Sequence, residues 1–309
     1  MIPDVSVVMS VYNAGSRLPE TLDSVLSQQQ VSFEFIIVDD GSTDQTPEIL
    51  QSYRLRDPRV RILHQENQGL TKSLIKGCAA AVGKYIARQD AGDISLPNRL
   101  LRQLDFIKQY PNASFASCGT QFVAPNGEYL YEVKRKEENA TELLRNLRLD
   151  TVQGPSSHPS TIFPRAMYEQ VGGYRSVFYF AQDLDLWIRL AEHGPHMVMS
   201  DVLYKAAFTL GSISGKYKAE QMETARLILE SARRRRSGLT DEDLLQRAQA
   251  ITADESELKL KDRVRRAKAL YFIGACLRKN NDPRATGYFK QALLAHPLHF
   301  RSAIRCLLG

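Results

Sequence analysis

Long apolar runs are missing from this 309-residue chain: no stretch approaches the ~18 residues that a membrane-spanning helix needs. Cysteine is scarce as well. Cys78, Cys118, Cys276 and Cys306 stand far apart, with no Cys-x-x-Cys and no paired spacing. That pattern argues against a disulfide frame or a zinc site and reads as buried thiols of a reducing compartment. No Gly-x-Gly-x-x-Gly follows the first strand pattern, and Tyr12-Asn13-Ala14-Gly15 is a poor substitute, so a dinucleotide enzyme is set aside. The opening residues Met1 to Val5 carry neither a basic region nor an apolar stretch, so no secretory signal is expected there.

What is present is an ordinary globular composition with an uneven charge. Residues 1–215 hold 21 basic against 24 acidic side chains, and residues 216–309 hold 20 against 11. Two pieces of opposite sign face different partners. The limit is placed near Gly211–Gly215, where the pattern also changes, giving domains 1–215 and 216–309.

The first piece alternates strand and helix patterns. Strands are expected at Val5–Val11, Phe33–Val38, Val60–Gln65 and Tyr85–Arg88, with helices at Arg17–Gln28, Asp44–Leu55, Thr71–Val82 and Pro97–Tyr110. Thr43 or Asp44 is the expected cap of the second helix. Such alternation implies an α/β fold with a mostly parallel sheet covered on both faces. Beyond Ser114–Phe122, Asn126-Gly127 signals a hairpin; Glu137–Leu149 reads as helical, Ser160–Pro164 as extended and Asp183–Glu192 as an amphipathic helix carrying Trp187. After Lys216 only helices are expected, at Ala219–Arg236, Asp241–Ala250, Leu258–Arg278 and Pro283–Ala295.

Three acidic clusters carry the chemistry. The segment Phe35 to Asp44 runs from apolar residues into Asp39-Asp40 and the turn Gly41-Ser42. Ligands of open α/β sheets collect at the carboxyl ends of strands, and two adjacent carboxylates there are costly unless paired. With Ser10, Tyr12 and Asn13 closing the preceding strand, the segment suits a nucleotide pocket in which Tyr12 stacks on a base and a carboxylate accepts from its ring N–H. Capping and turn chemistry explains Ser42 or Asp44 equally well, but not two carboxylates ahead of the glycine.

The second cluster, Arg88-Gln89-Asp90-Ala91-Gly92-Asp93, offers hard oxygen ligands for a divalent ion on a diphosphate, or a helix cap. The third, Gln182-Asp183-Leu184-Asp185-Leu186-Trp187, offers either complements to a helix dipole or one positioned general base. His158, in Ser157-His158-Pro159-Ser160, is the other catalytic-type side chain, although a lone histidine is more often structural.

In order, these segments resemble an inverting glycosyltransferase of the family 2 type with the GT-A nucleotide-sugar-binding fold. The resemblance rests on Val5 to Asn13, Val38–Asp44, Asn67-Gln68-Gly69-Leu70, Arg88–Asp93 with Pro97 and Arg99-Leu100, His158-Pro159-Ser160, Gly172-Gly173-Tyr174, and Asp183 to Arg189. It covers residue 4 to about 214 and implies a UDP-sugar donor and a glycan or lipid-linked acceptor, as in polysaccharide and cell-envelope biosynthesis. By position Tyr12 lies beside the base, Asp40 contacts the uracil with Asp39 beside it, and Asp90 is the first acidic residue of the Asp-x-Asp element. Asp183 matches the general base, while His158, Gln182 and Trp187 are acceptor or loop candidates.

Two departures matter. Gly92 stands where the second, metal-ligating Asp is usual, leaving Asp90 with Asp93 to hold an Mg²⁺ or Mn²⁺ ion. Gln182 replaces the Glu before the base, and Lys205 is a stand-in for an Arg and His usual near the domain's end. Gly92 and Gln182 make a non-catalytic sugar-nucleotide-binding or scaffold protein the rival reading.

The C-terminal helices carry Arg233 to Arg236, Lys259, Lys261, Arg263, Arg265, Arg266 and Lys268. Three expectations compete: a contact with an anionic membrane, peripheral on its cytoplasmic inner face; nucleic-acid binding, not expected for want of a fingerprint or aromatic platform; and a solvated face. The last segment resembles a tetratricopeptide-like hairpin, which cannot stack alone and must pack on the first domain or another protein.

Overall fold

The computed structural model describes residues 2–136, 140–208, 217–253, 258–298 and 300–307. The first half is strand β1 (Val5–Val11), helix α1 (Leu18–Leu26), β2 (Phe33–Asp39), α2 (Thr46–Arg56), β3 (Val60–His64), α3 (Leu70–Ala79) and β4 (Tyr85–Asp90). There follow β5 (Ile94–Ser95), α4 (Arg99–Lys108), β6 (Phe115–Val123), β7 (Tyr129–Val133), α5 (Ala140–Arg145), β8 (Thr161–Pro164) and α6 (Arg165–Gln170). The remainder is α7 (Gln182–His193), β9 (His196–Ala207), α8 (Lys218–Arg236), α9 (Glu242–Gln249), α10 (Leu258–Lys279), α11 (Ala285–Ala295) and α12 (Phe300–Leu307).

The sheet runs β3-β2-β1-β4-β8-β6-β9-β5, with β7 added to β6. Strands β3, β2, β1 and β4 are all parallel, as the alternation requires. Strands β1 and β2 are mostly apolar because helices cover both faces, and every residue of β2 is buried. Beyond β4 the sheet turns mixed: β8 is antiparallel to β4 and β6, whereas β6 and β9 are parallel. This arrangement gives the GT-A-type α/β fold, and it sets the ends of β1 and β4 side by side, Ser10 in register with Asp90.

Most expected elements stand within a residue or two of their predicted ends. The Asn126-Gly127 hairpin joins β6 to β7, Gly127 at a φ of +87°. The cap of α2 differs. Gln45 is the residue before its first turn, and Asp44 acts from one position earlier by accepting from Thr46 N at 3.0 Å. β9 went unread because its alternation is broken by Ser200, Asp201 and Lys205; pairing with β6, not side-chain pattern, makes it a strand. The limit at Gly211–Gly215 lies outside the described residues. Cys78 and Cys118 are buried thiols as expected, but Cys276 and Cys306 are only half-buried.

The helices after residue 216 divide between two places. Leu227, Ile228 and Ala232 of α8 and Leu244 and Ala248 of α9 share one apolar cluster with Trp187, Leu186 and Phe178. Arg235 and Arg236 pair with Glu192 of α7 at 3.0 Å, and Arg234 with Asp243 at 2.5 Å. The four-arginine run is therefore tied largely to its own protein. Helices α10 and α11 form a second cluster around Leu270, Ile273 and Phe289, closed by Ala124 and Leu130 of the β6–β7 hairpin. Asn280 Nδ2 donates to Leu130 O at 2.9 Å and Asn126 Nδ2 to Tyr288 Oη at 3.2 Å, so the hairpin of helices does pack on the rest of the chain. Among the described residues, no helix is long and apolar enough to cross a membrane.

Candidate active site

The first acidic cluster is paired, as two adjacent buried carboxylates must be. Asp39 Oδ1 accepts from Ser42 N at 3.0 Å and its Oδ2 lies 3.2 Å from His64 Nδ1. Asp40 accepts from Gln65 Nε2 at 2.6 Å, Gln68 N at 3.0 Å and Gly69 N at 2.8 Å. Each carboxylate thus folds a loop around itself. Gly41 is required here: its φ is +79°, and a Cβ would meet Asn67 N at 2.8 Å. The loop after β1 is clipped to the same turn, with Asn13 Oδ1 accepting from Thr43 N at 2.8 Å and Thr46 Oγ1 from Ala14 N at 3.0 Å. Tyr12 on that loop is 52 % exposed, its ring available at the rim.

Under the second cluster lies a buried polar scaffold. Arg88, fully buried, donates to Val8 O at 2.5 Å and to Asp90 Oδ1 at 2.8 Å, while its Nε has no partner. Arg99, also fully buried, donates to Arg88 O at 2.8 Å and Pro159 O at 2.5 Å, locking the loop of His158 to strand β4. Its guanidinium lies 4.7 Å over the Tyr204 ring, whose hydroxyl accepts from Asp90 N at 3.1 Å. Tyr204 of β9 therefore holds the Asp90 backbone and Arg88 its carboxylate.

A cleft of about 480 Å³ is lined by Ser10, Leu70, Asp90, Ala91, His158, Tyr179, Phe180, Ala181, Gln182, Asp183 and Gln221. Five sequence candidates (Ser10, Asp90, His158, Gln182 and Asp183) come together there. Tyr12, Asp39 and Asp40 are not among its lining residues: Asp39 is the last residue of β2, and Tyr12 and Asp40 follow the ends of β1 and β2. Trp187 stands behind it, buried, with its ring 5.9 Å from that of His158. Asp93 is turned away: its Oδ1 accepts from Ala207 N at 2.9 Å. Burial and the neighbouring Asp90 charge push the Asp93 carboxyl up to about 8.

Asp183 opens α7. Burial raises its pKa to about 6, Asp90 adding to the rise, against the lowering by the Leu184 N–H and Arg88. Oδ1 accepts from Leu184 N at 2.9 Å. The preceding Ala181 has a φ of +51°, a strained conformation for alanine that aims the helix start at the cleft. Asp185 has a different part: it is 1 % exposed, and despite burial the Arg189 and Arg175 guanidiniums hold its carboxyl below the usual range. It pins α7 and is no helix-dipole complement in solvent. His158 Nε2 lies 2.6 Å from Tyr174 Oη, and burial, with Arg88 nearby, keeps its pKa well below the ordinary value. The ring is neutral at physiological pH.

The sequence reading missed Tyr179, Phe180 and Gln221 as cleft residues. Aromatic Tyr179-Phe180, one residue ahead of the third cluster, was a usable signal; Gln221, 38 residues downstream of Asp183 on another element, had none. As a metal site the cleft is open. Among the described residues no group of three or more His, Cys, Asp or Glu side chains converges to hold an ion. Asp90, its side chain 38 % exposed, is one carboxylate beside a ligand space. Mg²⁺ commonly binds one or two carboxylates together with substrate phosphates, so the residues fit an ion that arrives with a diphosphate rather than a resident one.

Strand-end carboxylates over a parallel sheet and a cleft holding one raised aspartate are the geometry of a ligand-binding site with a candidate acid–base group. The family model "Glycosyl transferase family 2" matches residues 6–172, and the chain belongs to that family. It is 29 % identical to EpsE of Bacillus subtilis (strain 168) over 248 residues, 77 % of this chain and 85 % of that protein. An uncharacterised glycosyltransferase of Rickettsia bellii (strain RML369-C) is 28 % identical over 224 residues, 72 % of this chain but 32 % of that longer protein. The crystal structure of S. aureus TarS 1-349 in complex with UDP-GlcNAc shares the fold, with a TM-score of 0.57 at 18 % identity, covering 95 % of this chain and 86 % of that one.

Proposed function

We propose that this glycosyltransferase moves a sugar from a UDP-sugar to an acceptor hydroxyl with inversion, Asp183 serving as general base. The observation that carries the proposal is the placement of Asp183 and Asp90 on one cleft, with Asp183 raised to about 6. A base with that pKa is ionised at neutral pH yet still strong enough to draw a proton in the transition state. Oδ1 is held by Leu184 N–H, so Oδ2 takes the hydroxyl proton as the acceptor oxygen attacks the anomeric carbon. The solved likeness of TarS with UDP-GlcNAc supports the donor class.

On this reading Tyr12, Asp39 and Asp40 face the base, and Asp90 faces the diphosphate. An Mg²⁺ or Mn²⁺ ion, held by Asp90 and by the donor's phosphate oxygens, would offset the charge on the departing UDP. Neutral His158 and the Gln182 amide supply hydrogen bonds without adding charge. Contact with an anionic membrane would fall to α10–α12, where Arg263 and Arg266 lie with Leu294 on one surface and Leu298 is 83 % exposed. Vesicle binding that weakens with salt is the expected result there, and equal binding to neutral vesicles refutes it.

The test of the activity is turnover of UDP-GlcNAc and other UDP-sugars by wild type and Asp183→Asn, with Mn²⁺ and with chelator. Loss of at least ~10²-fold in kcat with donor affinity retained is expected. No turnover of any donor by wild type favours the scaffold reading instead.

A further inference from the structure

The cleft is completed by a residue from outside the matched family region. Gln221 lies in the first turn of α8, its N–H donating to Tyr217 O at 2.9 Å. Tyr217 is buried, with its ring 5.1 Å from that of Phe180. The far end of α8 is clamped to α7 through Arg235, Arg236 and Glu192. Gln221 is thus held at a fixed position on the cleft that Asp183 faces.

The lining has a definite chemistry. Gln182 and Gln221 present amides, each with donors and an acceptor, the complement of adjacent hydroxyls. Tyr179, 40 % exposed, presents an aromatic ring with a polar tip. Among the described residues the lining has no lysine or arginine, and Asp90 and Asp183 are its only carboxyl side chains. Arg88, the nearest cation to Asp90, is fully buried behind it.

We propose that the acceptor is an uncharged sugar ring or polyol, positioned for Asp183 by Gln221 and Tyr179, and that an acceptor with an acidic group beside the reacting hydroxyl is rejected. This rests on the transferase reading and deepens it. The donor diphosphate already adds negative charge to a carboxylate-lined cleft, so a further anion meets repulsion at short range in a half-enclosed site. Neutral hydroxyls meet amides and an aromatic face. Gln221 is then a specificity-determining residue on α8, beyond the residues that the family model matches.

The protein saturated with UDP is applied to an array of neutral oligosaccharides and length-matched uronate- or phosphate-bearing ones. Neutral glycans are expected to be retained at least ~10-fold more tightly than their anionic counterparts. Gln221→Ala should weaken neutral retention by about tenfold, the loss of one or two hydrogen bonds. Gln221→Lys should gain retention of anionic glycans, with UDP affinity and melting temperature of both variants close to wild type. Equal or preferred binding of anionic glycans, unchanged retention by Gln221→Ala, or no retention of any neutral glycan overturns the proposal. Donor turnover lost in Asp183→Asn would leave the transferase reading intact in each of those cases.

Discussion

Asp183→Asn separates the stability of this fold from its chemistry. The Asp183 carboxyl rises from 3.8 to about 6, burial being the largest cause. Two units correspond to about 3 kcal/mol of preference for the neutral form. A raised folded-state pKa means that the native protein binds the proton more tightly than the unfolded chain. The stability attached to that proton is fully present below pH ~4 and lost as pH rises through ~6. Asparagine keeps the shape and never ionises. The variant should therefore be more stable than wild type by up to about 3 kcal/mol at pH 8, about half of that at pH 5 and ~0.5 kcal/mol at pH 4. Urea unfolding of both proteins at those three pH values measures the difference. In parallel, on the general-base proposal, wild-type kcat/KM should rise with pH through an apparent pKa near 6, since the proposed base must be ionised. A stability gap that does not change between pH 4 and pH 8, or an activity profile breaking near 4, refutes the reasoning.

Three further outcomes follow from the same structure. Asp185→Ala strands the Arg189 and Arg175 guanidiniums, with Arg189 Nη2 2.6 Å from the carboxylate, and should cost about 3–5 kcal/mol in urea unfolding. Gly154→Ala places a Cβ 2.3 Å from Trp187 Cε3; the sole tryptophan should change its emission, and stability should fall by about 1–3 kcal/mol. Gly92→Asp places a carboxylate in open space at a φ of +94°, so on the proposed ion site it should bind Mn²⁺ without nucleotide more tightly than wild type; equal titration curves in calorimetry would count against that proposal.

Much of the site was legible because its residues sit at strand ends. The strand patterns of β1, β2 and β4 mark where backbone leaves the sheet, and Ser10, Asp39 and Asp90 stand at or next to their last residues. Local pattern also placed Asp183 at a helix start. Other parts had no local signature. Asp90 and Asp93 read alike in sequence, yet one faces the cleft and the other accepts from Ala207 N on β9. The arginine run of α8 reads as a basic surface, yet Glu192 of α7 pairs with two of its members.

The sequence by itself determined the α/β alternation, the turn at Asp39-Asp40-Gly41 and the candidate base, because strand burial, turn chemistry and helix starts act within a few residues. Only the tertiary structure decided which carboxylates share a cleft, that His158 is neutral, and that Gln221 completes the wall. Those properties depend on burial and on charges brought together from β4, α7 and α8, which no short-range pattern encodes.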